Sequence, residues 1–172
     1  MVERPLDVAE DRPPGTAQLS AMQPARVSRR RALTLLDAPG RNAWLGDVVE
    51  TGVGGGEGDR HLVDLELRVS EQAPRITFRK AAYVDVGPAR GNRPGRIRVS
   101  ISWRAAGLAP LFPVFSGTLS WLDGELHLDG YYAPPGGGIG LVADRLLLNV
   151  AARATARLLL ARIAAHMRGE VG

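Results

Sequence analysis

Residues 96–104 read RIRVSISWR, and residues 115–132 read FSGTLSWLDGELHLDGYY. In both stretches apolar and polar residues alternate, so every second side chain can face the same side of a β-strand. Asp123-Gly124 interrupts the second stretch and is a dipeptide typical of a two-residue hairpin turn. These residues therefore predict neighbouring antiparallel strands with one apolar and one polar face.

The same alternation is present earlier in the chain. From His61 to Val69 the apolar residues occupy odd positions, and a second alternating run extends from Arg75 to Val86. With the strands after residue 96, this makes five one-sided strands joined by short connections. Such a series predicts an antiparallel sheet that exposes one face to water and must cover the other.

A long helix is predicted after the sheet, from Ile139 to about Met167. One stripe of this segment is polar and should face solvent: Arg145, Asn149, Arg153 and Arg157. A second stripe is apolar and should face the sheet: Leu147, Ala151, Ala154, Leu158, Ala161 and Ala165. We therefore predict an α+β fold in which a curved antiparallel β-sheet wraps around a long C-terminal α-helix.

The N-terminal part has a different composition. Residues 1–26 contain four prolines and few large apolar groups, which predicts a flexible arm. Ser28 precedes the run 29–36 and predicts a short helix with a serine N-cap, ending near Pro39-Gly40. We therefore expect one folded domain over residues 27–169.

Composition limits the possible functions. The 172 residues include no cysteine, which excludes a disulfide scaffold and a thiol nucleophile. The formal net charge is +4, and residues 139–168 alone carry five arginines and one aspartate, 5 − 1 = +4. We find no pattern of a signal peptide or a membrane span, and we expect a cytoplasmic protein.

Three segments resemble the helix-grip fold of the SRPBCC or START-like superfamily, which includes polyketide cyclases and aromatases. They are residues 111–117, 131–136 and 144–147, and the resemblance extends over about residues 28–168. It implies a cavity between the sheet and the C-terminal helix that holds an apolar small molecule. The chain departs from the family pattern at its start, where members have an edge strand and two short helices. Residues 24–60 predict one helix and no first strand.

The ligand-binding residues that this cavity implies follow from strand parity and from the apolar stripe of the helix. They are Phe78, Lys80, Val99, Ile101, Trp103, Phe115, Leu119, Trp121 and Tyr132 on the strands, and Leu147, Ala151, Ala154 and Leu158 on the helix. The same side chains would also form an ordinary core packed at native density. The sequence leaves open whether the space between sheet and helix is a cavity or is filled.

Lys80 is the charged residue among them, and strict alternation puts it on the apolar face. A buried ammonium is costly unless it is paired, so Lys80 can bind a carboxylate head group or act as a base. The alternative is a β-bulge around residues 79–82 that turns Lys80 outward.

Three functions remain open at this stage. We expect a module that binds a lipid-like or polyketide-like molecule without a reaction of its own. The first alternative is a cyclase- or aromatase-like enzyme in which Lys80, Tyr83 or Tyr132 moves protons in the same cavity. The second is an interaction protein that docks an acidic partner through the basic C-terminal helix.

Other sites are not expected. The three histidines lie on different predicted elements without metal-ligand spacing, so we predict no metal. The glycine-rich segment 52–58 lacks a phosphate-binding motif, and we predict no cofactor. We do not expect nucleic-acid binding, because no aromatic residue is interleaved with the arginine stripe. The sequence predicts neither the identity of the ligand nor the oligomeric state.

Overall fold

The computed structural model describes residues 15–51, 58–68, 77–93, 95–107, 114–133 and 142–170. The elements in these residues are β1 (Ala17–Pro24), α1 (Arg29–Leu36), α2 (Ala38–Leu45), β2 (Val48–Thr51), β3 (Asp59–Arg68), β4 (Thr77–Val86), β5 (Arg90–Arg93), β6 (Arg96–Ala105), β7 (Val114–Leu122), β8 (Glu125–Ala133) and α3 (Val142–Arg168).

The eight strands found in the described residues form one antiparallel sheet. Its order is β1-β8-β7-β6-β4-β3-β2, and β5 pairs separately with β6. The sheet is open, with β1 and β2 at its edges. Helix α3 contacts β1 and β8 toward one edge of the sheet and β3 toward the other edge. It therefore lies across one face of the sheet, here called the inner face. The prediction of an α+β fold with an antiparallel sheet and a C-terminal helix is confirmed.

Strand β1 lies within the segment for which the sequence predicted a flexible arm. Its register with β8 is unbroken from Ala17 opposite Tyr132 to Pro24 opposite Glu125. Leu19 is the one buried residue of the eight in β1. An edge strand with a single buried residue carries no alternating apolar pattern, which explains why no strand was predicted here. Residues 1–14 of the predicted arm lie outside the described residues.

The start of α1 follows the prediction. Ser28 is its N-cap, and the Ser28 hydroxyl accepts a hydrogen bond from the Arg31 backbone N–H at 3.2 Å. The helix ends at Leu36, three residues before Pro39-Gly40.

A second short helix, α2, begins where the sequence predicted only the end of α1. Pro39 lies in the first turn of α2, where the missing N–H and the fixed φ of proline are tolerated. Gly40 lies directly against α1, and an added Cβ would clash with Thr34 O and lie 2.6 Å from Leu35 Cα. β1 followed by two short helices is the order that the resemblance implied and that the sequence failed to predict.

The turn between β7 and β8 confirms the hairpin prediction. Leu122 pairs with Glu125, so Asp123 and Gly124 form the two-residue loop. Their φ values are 48° and 91°, and two consecutive positive φ values are characteristic of a type I′ turn.

The buried face of α3 is displaced from the predicted stripe. Ala154 is buried, but Leu158 and Ala165 are half-buried and Ala161 is exposed. The buried residues in the second half of the helix are Ala156, Leu159, Leu160, Ile163, Ala164 and Met167. Because α1 and α2 also contact α3, the apolar side of the helix is wider than a single stripe facing a sheet. An Ala- and Leu-rich helix offers several such stripes, and periodicity did not choose between them.

Candidate functional site

The inner face brings together most of the predicted strand residues. Seven of them are at most 5% exposed: Val99, Ile101, Trp103, Phe115, Leu119, Trp121 and Tyr132. They belong to one hydrophobic cluster that also includes Leu159 and Ile163 of α3. The parity derived from the sequence is therefore correct for these strands. In the structure these side chains pack as a core, and their contact with a ligand stays a prediction.

The remaining predicted residues lie toward the other end of the inner face or on the helix. Ala154 is buried and Leu158 is half-buried. The side chains of Phe78, Lys80, Leu147 and Ala151 lie outside the part of the structure that is described.

The backbone nevertheless resolves one question about Lys80. The β3–β4 register runs without a shift from Asp59 opposite Val86 to Arg68 opposite Thr77. No β-bulge therefore turns the chain at residues 79–82. Lys80 pairs with Leu65 and shares the register parity of the buried residue Ala82.

Strand β4 extends beyond its neighbour on one side. All ten of its residues pair with β3, whereas only Ala82–Val86 pair with β6. The first half of β4, which contains Phe78 and Lys80, thus continues past the end of β6 at Ala105. Among the described residues, β6 provides no partner for residues 77–80 of β4.

A row of directly paired residues, here called the central row, crosses the inner face. It runs from β2 to β1 through Val48, His61, Val84, Trp103, Phe115, Tyr132 and Ala17. Within it the rings of Trp103 and Phe115 are stacked, with centroids 4.1 Å apart and planes inclined by 19°.

Two glycines in the next row position the Phe115 ring. Gly117 of β7 and Gly130 of β8 are directly paired. A Cβ added to Gly117 would clash with Asp129 O and lie 2.6 Å from Phe115 Cζ, and one added to Gly130 would clash with Ser116 O and lie 2.8 Å from Phe115 Cζ. The absence of a side chain at this pair therefore allows both the close approach of the two strand backbones and the position of the Phe115 ring beside Trp103.

The tryptophans differ in what their indole N–H groups meet. Trp44 Nε1 donates to Leu35 O at 2.8 Å, and Trp121 Nε1 donates to Ala25 O at 3.1 Å. Trp103 Nε1 is buried and has no hydrogen-bond partner among the described residues. A buried donor without a partner costs about 1–3 kcal/mol, so this N–H requires an explanation.

His61 is a second such group in the central row, and sequence reasoning missed it. The ring is fully buried, and Nδ1 lies 2.8 Å from Gly46 O. Nε2 is buried without a hydrogen-bond partner in the part of the chain that the structure describes. His61 has the same parity as the buried residue Val63, and that alternation is the signal that would have placed it on the inner face.

Arg41 is a buried charge that no motif in the sequence indicated. It is 1% exposed, and it donates to Leu36 O at 2.9 Å, Val86 O at 3.1 Å and Gly87 O at 2.6 Å. Asp59 lies 3.4 Å away. Burial lowers the pKa of Arg41, and the negative charge of Asp59 opposes that shift. Arg41 thereby connects the end of α1 to the end of β4.

The two candidate tyrosines for proton transfer lie on opposite faces. Tyr83 is half-buried on the outer face, where its ring lies 5.6 Å from the Arg60 guanidinium and 5.3 Å from that of Arg104. Tyr132 lies in the central row of the inner face. Since the register contains no bulge at Tyr83, it does not share a site with Tyr132.

No three His, Asp or Glu side chains among the described residues are grouped so that they could hold a metal ion. No helix in the described ranges is long and apolar enough to cross a membrane.

No protein-family model and no curated protein matches the sequence. Among solved structures, the chain is similar to DynU16, described as a protein in the dynemicin biosynthetic locus, with 14% identity and a TM-score of 0.42. The match covers 92% of this chain and 49% of that one, so the chain spans about half the length of that structure. These values do not assign the chain to a family.

Proposed function

We propose that the chain has a helix-grip fold and binds an apolar small molecule, of lipid or polyketide type, between the inner face and α3. The observation that carries the proposal is the apolar inner face itself. Side chains from β4, β6, β7 and β8 converge on it. Helix α3 covers it, because α3 contacts β1 and β8 toward one edge of the sheet and β3 toward the other edge.

The ligand is expected at the end of this face where β4 extends past β6. At the other end Trp121, Leu119 and Val99 are buried in the hydrophobic cluster, which favours a packed core there. Between the central row and this end of the face lies the pair Ala82 and Ala105, and both residues are small. Lys80 lies two residues before Ala82 in β4 and has the same parity, and it is the residue proposed to bind an acidic head group.

A fatty acid and the alcohol of the same chain length test this arrangement. We expect both to bind, and we expect the acid to bind about tenfold more tightly because of its charge-assisted pairing with Lys80. Lys80→Met should remove the preference for the acid and leave the affinity for the alcohol unchanged. Arg98→Met, which removes an exposed cation from β6, is the matched control and should change neither affinity. Failure of both compounds to bind the wild-type chain would contradict the proposal.

The arginines of α1 and α3 support a second candidate function, the docking of an acidic protein. Arg31 donates to Met167 O at 3.2 Å and to His166 O at 3.3 Å, so α1 lies against the end of α3. The exposed arginines of the two helices are Arg29, Arg30, Arg31, Arg153, Arg157, Arg162 and Arg168. Their combined potential would attract an acidic surface and would be screened by salt.

Poly-glutamate is a suitable probe for this second candidate. We expect its binding to weaken as salt is raised and in the variant Arg30→Gln/Arg153→Gln. Arg98→Gln is the control for the loss of one cation elsewhere. Equal binding by the double variant and the wild type would exclude the α1–α3 surface.

A further inference from the structure

We propose that the ligand carries both a hydrogen-bond acceptor and a hydroxyl donor on its apolar frame, and that Trp103 and His61 recognise them. This inference rests on the proposed binding function and specifies the chemistry of the ligand. It follows from the two buried polar atoms of the central row that lack partners among the described residues, Trp103 Nε1 and His61 Nε2.

The two atoms have opposite requirements. An indole N–H can only donate, so Trp103 requires an acceptor such as a carbonyl oxygen. A backbone carbonyl can only accept, so His61 Nδ1, which lies 2.8 Å from Gly46 O, carries the hydrogen. In the neutral ring Nε2 is then an acceptor, and it requires a hydroxyl or similar donor from the ligand.

The sheet sets the separation of the two groups. His61 pairs with Val84, and Val84 pairs with Trp103, so one strand lies between them. At the usual strand spacing their backbones are about 10 Å apart. A fused-ring or extended apolar molecule with polar groups on two of its edges has dimensions of this order.

Ordered water is a poor substitute at Trp103. A buried water is stable when it makes two to four hydrogen bonds. The residues paired with Trp103 across the sheet are Val84 and Phe115, and neither has a polar side chain. A ligand with an acceptor and an apolar surface would accept the hydrogen bond of the Trp103 N–H and also pack against its apolar neighbours.

Four naphthalene derivatives separate the contributions: naphthalene, 2-naphthol with a donor, 2-acetylnaphthalene with an acceptor, and 6-acetyl-2-naphthol with both. Each polar group is expected to raise affinity by about 3- to 10-fold over naphthalene, the range that a net hydrogen bond supplies. Trp103→Phe should abolish the gain from the acetyl group and keep the gain from the hydroxyl group. Trp121→Phe, whose N–H is already bonded within the protein, is the control and should keep both gains.

A second readout uses the wild-type chain, so it does not depend on the folding of a variant. Binding of 2-acetylnaphthalene should shift the indole N–H resonance of Trp103 downfield while those of Trp44 and Trp121 stay in place. Binding of 2-naphthol should shift the Nε2 resonance of His61.

The outcomes distinguish the two proposals. If naphthalene binds but the polar groups add no affinity, or if the acetyl gain survives in Trp103→Phe, this inference is wrong and the proposed function stands. If none of the four compounds binds while the fatty acid does, this inference is wrong and the proposed function stands. If the four compounds, the fatty acid and the alcohol all fail to bind up to their solubility limits, apolar ligand binding is contradicted and this inference falls with it.

Discussion

Replacing each tryptophan by phenylalanine measures directly whether the Trp103 N–H lacks a partner. Trp103 and Trp121 are 2% and 5% exposed, so both substitutions remove similar buried volume. Trp121→Phe also removes the hydrogen bond to Ala25 O. Since Ala25 O keeps its hydrogen bond from the Val27 N–H, this loss costs only the net value of one hydrogen bond, about 0.5–1.5 kcal/mol. Trp103→Phe instead removes a buried donor that has no partner among the described residues, which recovers about 1–3 kcal/mol.

Trp103→Phe should therefore destabilise the chain less than Trp121→Phe, by about 1.5–4.5 kcal/mol in the free energy of unfolding. Urea titrations of both variants and the wild type, analysed with a common m-value, measure this difference. Trp44→Phe is a second reference, because Trp44 is fully buried and donates to Leu35 O at 2.8 Å. A cost for Trp103→Phe equal to or above the costs of both reference variants would show that the Trp103 N–H is hydrogen-bonded in the free chain.

Two further predictions concern the framework of the site. Arg41→Met should lower the free energy of unfolding by about 3–5 kcal/mol, because it removes a buried cation that donates to three backbone carbonyls. The control Arg30→Met, at an exposed position, should change the free energy of unfolding by less than about 0.5 kcal/mol. Equal urea midpoints for the two variants would contradict this. Gly117→Ala should cost about 3 kcal/mol, because its Cβ would clash with the backbone oxygen of Asp129 and lie 2.6 Å from Phe115 Cζ. Gly107→Ala meets no described atom within 4 Å and should melt near the wild-type temperature. A Gly117→Ala protein with unchanged melting temperature would show that the β7–β8 backbone and the Phe115 ring can move apart at this position.

Strong local patterns predicted the sheet well. Alternation over residues 96–104 set both the strand β6 and its buried parity, since a one-residue shift would have exposed every apolar side chain. Asp123-Gly124 predicted the turn because few other dipeptides adopt two positive φ values cheaply. Ser28 predicted the start of α1 for an equally local reason, the capping of a free backbone N–H.

Features that depend on distant contacts were not predictable in this way. Strand β1 has one buried residue and is formed by pairing with β8, more than a hundred residues later in the chain. The capacity of Gly40 to let α2 approach α1 is visible only once both helices are in place. Arg41 resembles any surface arginine in the sequence, and its burial depends on carbonyls contributed by α1 and the end of β4.

The sequence predicted those features of the candidate site that follow from local alternation and missed those that depend on distant contacts. Parity identified the apolar residues of the inner face, including Trp103 and Tyr132. Parity could not show that the Trp103 N–H has no partner in the described part of the chain, because this depends on which carbonyls lie nearby. The spacing of the histidines predicts no metal site and assigns no other role to His61, although its parity with Val63 indicates burial on the same face.

Native mass spectrometry of the purified chain, followed by solvent extraction and identification of any bound compound, shows whether the inner face binds an apolar molecule. We expect a stoichiometric apolar adduct, or uptake of one molecule from a panel of lipids and polyketides, and we expect this compound to carry both a hydroxyl group and a carbonyl-type acceptor. A mass equal to that of the bare chain, with no uptake from the panel, would instead show that the inner face is an entirely filled core.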